Sequence, residues 1–187
     1  KRTKAIMVVE MSGWPLDMLK IIKIAKKYKL KVISDNAQSI GSTYKNKYTG
    51  VLSDIGGYSL NYHKTIQCGE GGIIITNSNY YAEKMRLIRN HGEAVISNKS
   101  KKKLVNILGY NFRMGEIEAA ISIEQLKKLK KIIKQKQSWA KILDSYLSNL
   151  KGLYIPKFDK GSSSSYYAYP LFYDENRVGI KKLNIYK

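Results

Sequence analysis

The chain has 187 residues, 43% of them hydrophobic and 11% aromatic, which is enough apolar material for a core and excludes a disordered chain. Lys and Arg number 34 against 14 Asp and Glu, a formal net charge of +20, and the single cysteine excludes an internal disulfide. No apolar run reaches the roughly 18 residues of a membrane span. The stretch Ala5–Val9, after the charged Lys1-Arg2-Thr3-Lys4, is too short for a signal peptide, so a cytoplasmic protein is expected.

In chain order, Ala5–Val9 is short, apolar and ends in β-branched residues, the signature of a buried strand. Gly13-Trp14-Pro15 marks a turn, with Pro15 expected in the first turn of a helix and Asp17 near its positive end. Met18, Ile21, Ile22, Ala25 and Tyr28 recur at helical spacing with lysines on the other face. Lys31–Asp35 is the next strand, so strand, helix and strand form a βαβ unit and predict a parallel sheet. Ligands of such sheets bind beyond the carboxyl ends of the strands, where Asp35 stands. Ile55–Leu60 and Gly72–Thr76 read as two further strands around the turn Gly69-Glu70-Gly71-Gly72. Ser78 or Asn79 caps a helix with Tyr81, Met85 and Ile88 on one face and Gly92 as its stop. A polar loop is expected over 93–106.

From Met114 to Leu150 an amphipathic pattern runs through Ile117, Ala120, Ile123, Leu126, Leu129 and Ile133, then Trp139, Leu143, Tyr146 and Leu150. Gly161–Ser165 is expected to be a flexible stretch and Tyr166–Tyr173 a strand that opens a second domain. A new amphipathic segment begins with Val178, Ile180 and Leu183 at the end of the chain, and the chain opens directly before a core strand; both features point to a piece of something larger.

The positive charge raises the possibility of a nucleic-acid binder, which predicts steeply salt-dependent binding indifferent to changes at Lys64. Only five of the 34 basic residues are Arg, the residue suited to bidentate phosphate and base contacts. The lysines lie along helix faces, as Lys20, Lys23 and Lys27 do, or in the run Lys99–Lys103, where solvation is the ordinary explanation. Neither a nucleic-acid nor a membrane partner is expected. With two histidines and one cysteine no metal cluster is expected either.

The segment that carries chemistry is Asp35-Asn36-Ala37-Gln38, followed by Ser59 to Thr65 and Gly69-Glu70-Gly71-Gly72. A carboxylate at a strand end can pair with a protonated ring nitrogen, a serine hydroxyl with nearby amides can hold a phosphate, and a loop lysine can bond to an aldehyde. Those are the protein's contributions in a pyridoxal-phosphate enzyme. Each residue also has a plainer reading: Asp35 as a helix cap, Ser59 as a strand hydroxyl, Lys64 as a solvated loop lysine.

The chain resembles the DegT/DnrJ/EryC1/StrS family of sugar aminotransferases, a branch of the fold-type I pyridoxal-phosphate enzymes. The resemblance rests on Gly13-x-Pro15-x-Asp17-Met18, on Val32-Ile33-Ser34-Asp35-Asn36-Ala37-Gln38 and on Ser59 to Gly72 with its Gly-Glu-Gly-Gly end. His91-Gly92, Leu108-Gly109-Tyr110-Asn111-Phe112-Arg113-Met114 and Glu118-Ala119-Ala120 follow in the family's order. It implies an α/β fold: an incomplete fold-type I large domain, a mostly parallel sheet flanked by helices, over 1–126. A connecting helix and the start of a small C-terminal domain would occupy 127–187.

By position the resemblance makes Lys64 the lysine that bonds to pyridoxal 5'-phosphate and moves the proton, and Asp35 the partner of the pyridinium nitrogen. Gln38 is expected near the cofactor's phenolic oxygen and Ser59 on its phosphate. Asn111 is expected to reach the phosphate of the neighbouring subunit, which implies a homodimer with shared active sites. The implied reaction moves an amino group from an amino-acid donor, usually glutamate, to a nucleotide-linked keto-sugar for polysaccharide or glycoconjugate synthesis. Glu10 stands where the family often has histidine, and Asn36 where it has a small residue. One branch of the family performs sugar 3-dehydration with histidine in place of the cofactor-bonding lysine; here Lys64 lies five residues after Ser59 and His63 one earlier, which favours the aminotransferase. Family members are longer, so upstream the opening of the large domain and downstream most of the small domain are expected to be missing. A truncated inactive remnant is the remaining alternative.

Overall fold

The computed structural model of the chain describes residues 2–93, 107–181 and 184. In chain order it contains β1 (Ala5–Val9), a 3-10 turn at Met11–Gly13, α1 (Met18–Tyr28), β2 (Lys31–Asp35), the short strands β3 (Thr43–Tyr44) and β4 (Lys47–Tyr48), and β5 (Ile55–Ser59). Then come β6 (Gly72–Ile75), α2 (Asn79–Arg89), α3 (Glu116–Leu147), β7 (Leu153–Tyr154), β8 (Phe172–Tyr173) and α4 (Glu175–Val178). The run Lys99–Lys103 and most of the loop expected over 93–106 lie outside the described residues.

The main sheet has the order β1-β2-β5-β6. Its first three strands are parallel, with Val9 opposite Asp35 and Asp35 opposite Gly57, and β6 returns antiparallel from the Gly-Glu-Gly-Gly turn. This is the mixed α/β, mostly parallel architecture expected from the βαβ pattern. It places the ends of β1, β2 and β5 at one edge, where Glu10, Asp35 and Ser59 stand.

One face of the sheet is packed by α1. Its Asp17 cap accepts from Lys20 N at 3.2 Å and from the Tyr44 hydroxyl at 2.7 Å, and the Tyr44 bond, then Lys20, hold the Asp17 carboxyl down at about 2. Pro15, expected in the first helical turn, stands two residues ahead of this cap. Met18 and Ala25 of α1 bury against Val8, Val32 and Tyr44, with Ile21, Ile22 and Leu30 packed around them. Each such side chain contributes on the order of 1.5–3 kcal/mol when fully buried. On the other face Met7, Val9 and Ile74 are exposed.

α3 departs from its expected pattern. Ile117, Ile123, Leu126, Trp139, Leu143, Tyr146 and Leu150 are exposed, while Leu129 and Ile132 pack on the cluster Ile40, Leu60, Ile66 and Cys68, and Ala140 is buried. The reason is length. A 32-residue helix spans about 48 Å, whereas five-residue strands span about 17 Å, so only its middle meets the domain. Tyr166–Tyr173, expected to be one strand, is paired only at Phe172–Tyr173; of the amphipathic segment expected after it, Val178 ends α4, Gly179 caps that helix, and Leu183 lies outside the described residues.

The packed face also carries a buried charge. Glu10 is 0% exposed, its backbone N donates to Asp35 O at 3.0 Å, and neither carboxylate oxygen has a hydrogen-bond partner. Burial pushes its carboxyl from 4.5 up to about 8; the Ser34 hydroxyl opposes this only in part, since it donates to Asn36 Oδ1 at 3.0 Å. The folded state therefore holds a proton that the unfolded chain has already lost, so stability falls as pH rises from about 4.5 to about 8, by up to about 1.4 kcal/mol per pH unit. Glu10→Gln is expected to flatten that slope: near wild-type stability at pH ~5 and a clear gain at pH ~8 in urea melts. Parallel pH curves for the two proteins would show that Glu10 ionises without penalty.

Candidate active site

Asp35 is the last residue of β2 and half-buried; its Oδ1 accepts from Ala37 N at 2.9 Å, which turns the chain sharply away from the strand. The turn delivers Gln38, whose Oε1 accepts from Ser12 N at 2.7 Å. Ser59 ends β5 on the same face of the sheet as Asp35, because Asp35 pairs with Gly57 two residues earlier. The Ser59 Oγ accepts from Asn61 N at 3.2 Å, which leaves its proton to donate.

Lys64 lies on the loop after β5. The loop is closed by Leu60 N donating to Gly71 O (2.8 Å) and Cys68 N to Leu60 O (3.0 Å), and anchored by buried Leu60, Ile66 and Cys68. Within it Lys64 N donates to Asn61 O at 2.9 Å, and Glu70 accepts from Asn61 Nδ2 at 2.5 Å. Glu70 thus pins the turn from which the lysine projects. α3 adds a tie from above, where the half-buried Lys136 reaches Thr65 Oγ1 at 3.5 Å; burial lowers the pKa of its ammonium group. The Lys64 Nζ itself lies 5.1 Å from the centroid of the Tyr167 ring.

Tyr167 follows directly on Gly161–Ser165, the stretch expected to be flexible. The structure corrects that expectation: Ser164 and Ser165 are 1% and 0% exposed. Ser164 Oγ donates to Gly13 O (2.8 Å), Ser42 Oγ donates to the same carbonyl (2.7 Å), and Ser165 N donates to Ser42 Oγ (2.9 Å). Ser163 exchanges two backbone bonds with Thr43, and Gln137 of α3 donates to Ser164 O at 2.9 Å. Polar side chains that look like solvent-seeking residues in sequence find partners in the core instead, and so order the segment. Only long-range pairing reveals this, and the sequence carries no local signal for it.

The structure thus gathers Asp35 and Ser59 at the strand ends, with Lys64 on the loop that follows β5, and ties Gln38 O to the Ser165 hydroxyl, two residues before the Tyr167 ring that the Lys64 amine meets. It does not gather Asn111, which is exposed and paired with Asn90 in an isolated bridge.

A family model, the DegT/DnrJ/EryC1/StrS aminotransferase family, matches residues 1–185. The chain belongs to this family. It is 38% identical to Escherichia coli O157:H7 GDP-perosamine synthase over 152 residues, 81% of this chain and 40% of that protein. The solved structure of Helicobacter pylori PseC, an aminotransferase of pseudoaminic acid biosynthesis, is 30% identical with a TM-score of 0.81, covering 94% of this chain and 47% of that one. The E. coli GDP-4-keto-6-deoxy-D-mannose-3-dehydratase with bound hydrated PLP has a TM-score of 0.85 at 28% identity, covering 98% and 50%. The chain spans about half the length of the curated relatives it matches. Among the described residues no helix is long and apolar enough to cross a membrane.

One close approach holds the site together. Gly13 has φ +82°, and a Cβ there would stand 2.6 Å from Ser165 Oγ, 3.0 Å from Tyr167 N and 3.1 Å from Gln38 O. Gly13→Ala is expected to cost about 1–3 kcal/mol, from left-handed strain and displaced neighbours, and to expose Tyr166 and Tyr167 to faster chymotryptic cleavage. Unchanged melting and digestion would show that the three segments do not meet at this residue.

Proposed function

We propose that the protein to which this chain contributes is a cytoplasmic pyridoxal-phosphate-dependent aminotransferase acting on a nucleotide-linked keto-sugar. The observation that carries the reading is the donor set at the strand ends: a loop amine on Lys64, a carboxylate on Asp35 with one oxygen committed to Ala37 N, and a Ser59 hydroxyl with its proton to give. That set fits pyridoxal phosphate, which needs a bonding amine, an anion at its ring nitrogen and donors at its phosphate. When bound, the cofactor supplies an electron sink for the carbanion formed at the reacting carbon.

The chain's own residues do the rest. Asp35 keeps the ring nitrogen protonated, Ser59 donates to the phosphate, and Gln38 orients the ring from its phenolic edge. Lys64 Nζ takes the proton from the α-carbon of the amino donor, and in the second half-reaction delivers one to the former carbonyl carbon of the sugar. Overall, an amino acid becomes a 2-oxo acid while the sugar's C=O becomes CH–NH2, so atoms and electrons balance without an external oxidant. Glutamate as donor and surface polysaccharide or glycoconjugate as destination belong to the same reading. In it, residues 1–126 are part of the cofactor domain and 127–187 lead into the smaller one.

A homodimer with shared active sites completes the proposal. Asn111, which touches nothing in its own chain's Lys64 loop among the described contacts, sits in a segment of exposed apolar side chains: Leu108, Tyr110, Phe112, Met114 and Ile117. A polar residue in an exposed apolar strip is suited to reach into a second copy. The sugar 3-dehydratase reading is disfavoured by the position of Lys64 five residues after Ser59, where that branch has histidine.

Pyridoxal phosphate added to the purified chain is expected to give a visible absorption band that borohydride bleaches, with the label on Lys64 by peptide mass spectrometry. Lys64→Ala is expected to lose both. A folded wild-type chain with no band and no label on Lys64 would sink the reading for this chain.

A further inference from the structure

Lys64 has no carboxylate partner: none of the ion pairs among the described residues includes it. Its amine lies instead over the Tyr167 ring at 5.1 Å, inside the range in which a cation is drawn to the electron-rich face of an aromatic ring. An aromatic residue of the loop, His63, also lies near this ring. His63 is 6.3 Å from Tyr167 and 5.1 Å from Tyr62 between centroids.

The backbone that carries the ring is held independently of the lysine. On one side are the serine bonds to Gly13 and Ser42, and Ala168 N donates to Ser12 O at 3.3 Å. On the other, Tyr166 meets Trp14 and Phe158 edge-on and stacks on Tyr169, whose hydroxyl donates to Asp144. The fold therefore places the backbone of Tyr167 without the help of the lysine.

We propose that Tyr167 is a positioning residue for Lys64: its ring face holds the ammonium group whenever that amine is not bonded to the cofactor, so that the base stays in the site between the two half-reactions. The inference rests on the reading of Lys64 as the cofactor-bonding lysine. A ring suits this task better than a carboxylate does. It holds the amine by only about a two- to fivefold preference, so the amine leaves readily. It also leaves Asp35 free of an ion pair with Lys64, and thus available to a ring nitrogen.

The test uses the whole chain without cofactor, in trace reductive methylation with formaldehyde and cyanoborohydride. Labelling of Lys64 is read by peptide mass spectrometry relative to the exposed Lys23 and Lys130. Tyr167→Leu is expected to raise relative labelling of Lys64 about two- to fivefold, and Tyr167→Phe, which keeps the ring face, to leave it at the wild-type rate. Pentafluorophenylalanine at position 167 keeps the shape and removes the negative ring face; it is expected to behave as Leu, which decides the matter even if Tyr167→Leu unfolds. Equal labelling in the wild type and the fluorinated variant overturns the proposal, as does a Phe variant that labels like Leu. Borohydride trapping of pyridoxal phosphate on wild-type Lys64, run in parallel, reports on the functional reading separately. Trapping with unmoved labelling removes only the role of Tyr167, and moved labelling without trapping removes the functional reading and leaves the ring contact as structure alone.

Discussion

The site depends on the space left by the missing Cβ of Gly13. Three segments distant in sequence converge there: the turn after β1, the turn after β2 through Gln38 O, and the C-terminal stretch through Ser165 and Tyr167. Each brings something the others lack. The first two bring the strand ends, the third brings the aromatic ring against which the Lys64 amine rests. A protein interior that is close-packed transmits such a contact rather than absorbing it. The geometry around Lys64 is therefore set more than 50 residues upstream and about 100 residues downstream of the lysine itself.

The acids, scarce in a chain of net charge +20, are spent on structure. Asp17 caps α1 and takes the Tyr44 hydroxyl; Asp54 accepts from Val32 N and Lys31 Nζ; Asp174 caps α4; Asp144 takes the Tyr169 hydroxyl. Among the described residues only Glu10 has buried side-chain oxygens without a hydrogen-bond partner, and it resolves the cost by holding its proton. The lysines mostly remain in solvent. Among the described residues Lys64, Lys84 and Lys136 are half-buried; Lys64 lies on the loop after β5 and Lys136 is tied to it.

β1 was legible to the residue as a five-residue apolar run, and β2 as the β-branched pair Val32-Ile33 that follows a helix at βαβ spacing. The Ser78 cap and the Asp35 strand end followed from the same local rules. Three features were not legible. The β3–β4 hairpin is two residues per strand and turns on Lys45 and Asn46 at positive φ, too short to show a period. The exposed stripe of α3 has the same spacing as a buried one, and only the reach of the sheet separates them. Ser162 to Ser165 has the composition of a linker, and its burial comes from partners some 120 residues away. Asp35, Gln38, Ser59 and Lys64 stand out as candidates in the sequence because the family resemblance attaches a chemical role to each place in the motif. Tyr167 carries no such mark, being one aromatic residue among five in Tyr166–Tyr173.

The hydroxyl layer also explains why this junction is polar where apolar packing would bury as much area. Apolar side chains slide past one another at little cost, while paired hydroxyls and carbonyls match in one alignment only. Ser163 to Ser165 meet Thr43, Gly13 and Ser42 in a single register. Tyr167 lies two residues beyond Ser165, past Tyr166 at a positive φ of 48°, so the anchored serines set where the chain bends and where the Tyr167 ring stands. The buried serines therefore fix the register of the C-terminal segment, and through that register they fix which side chain meets the lysine.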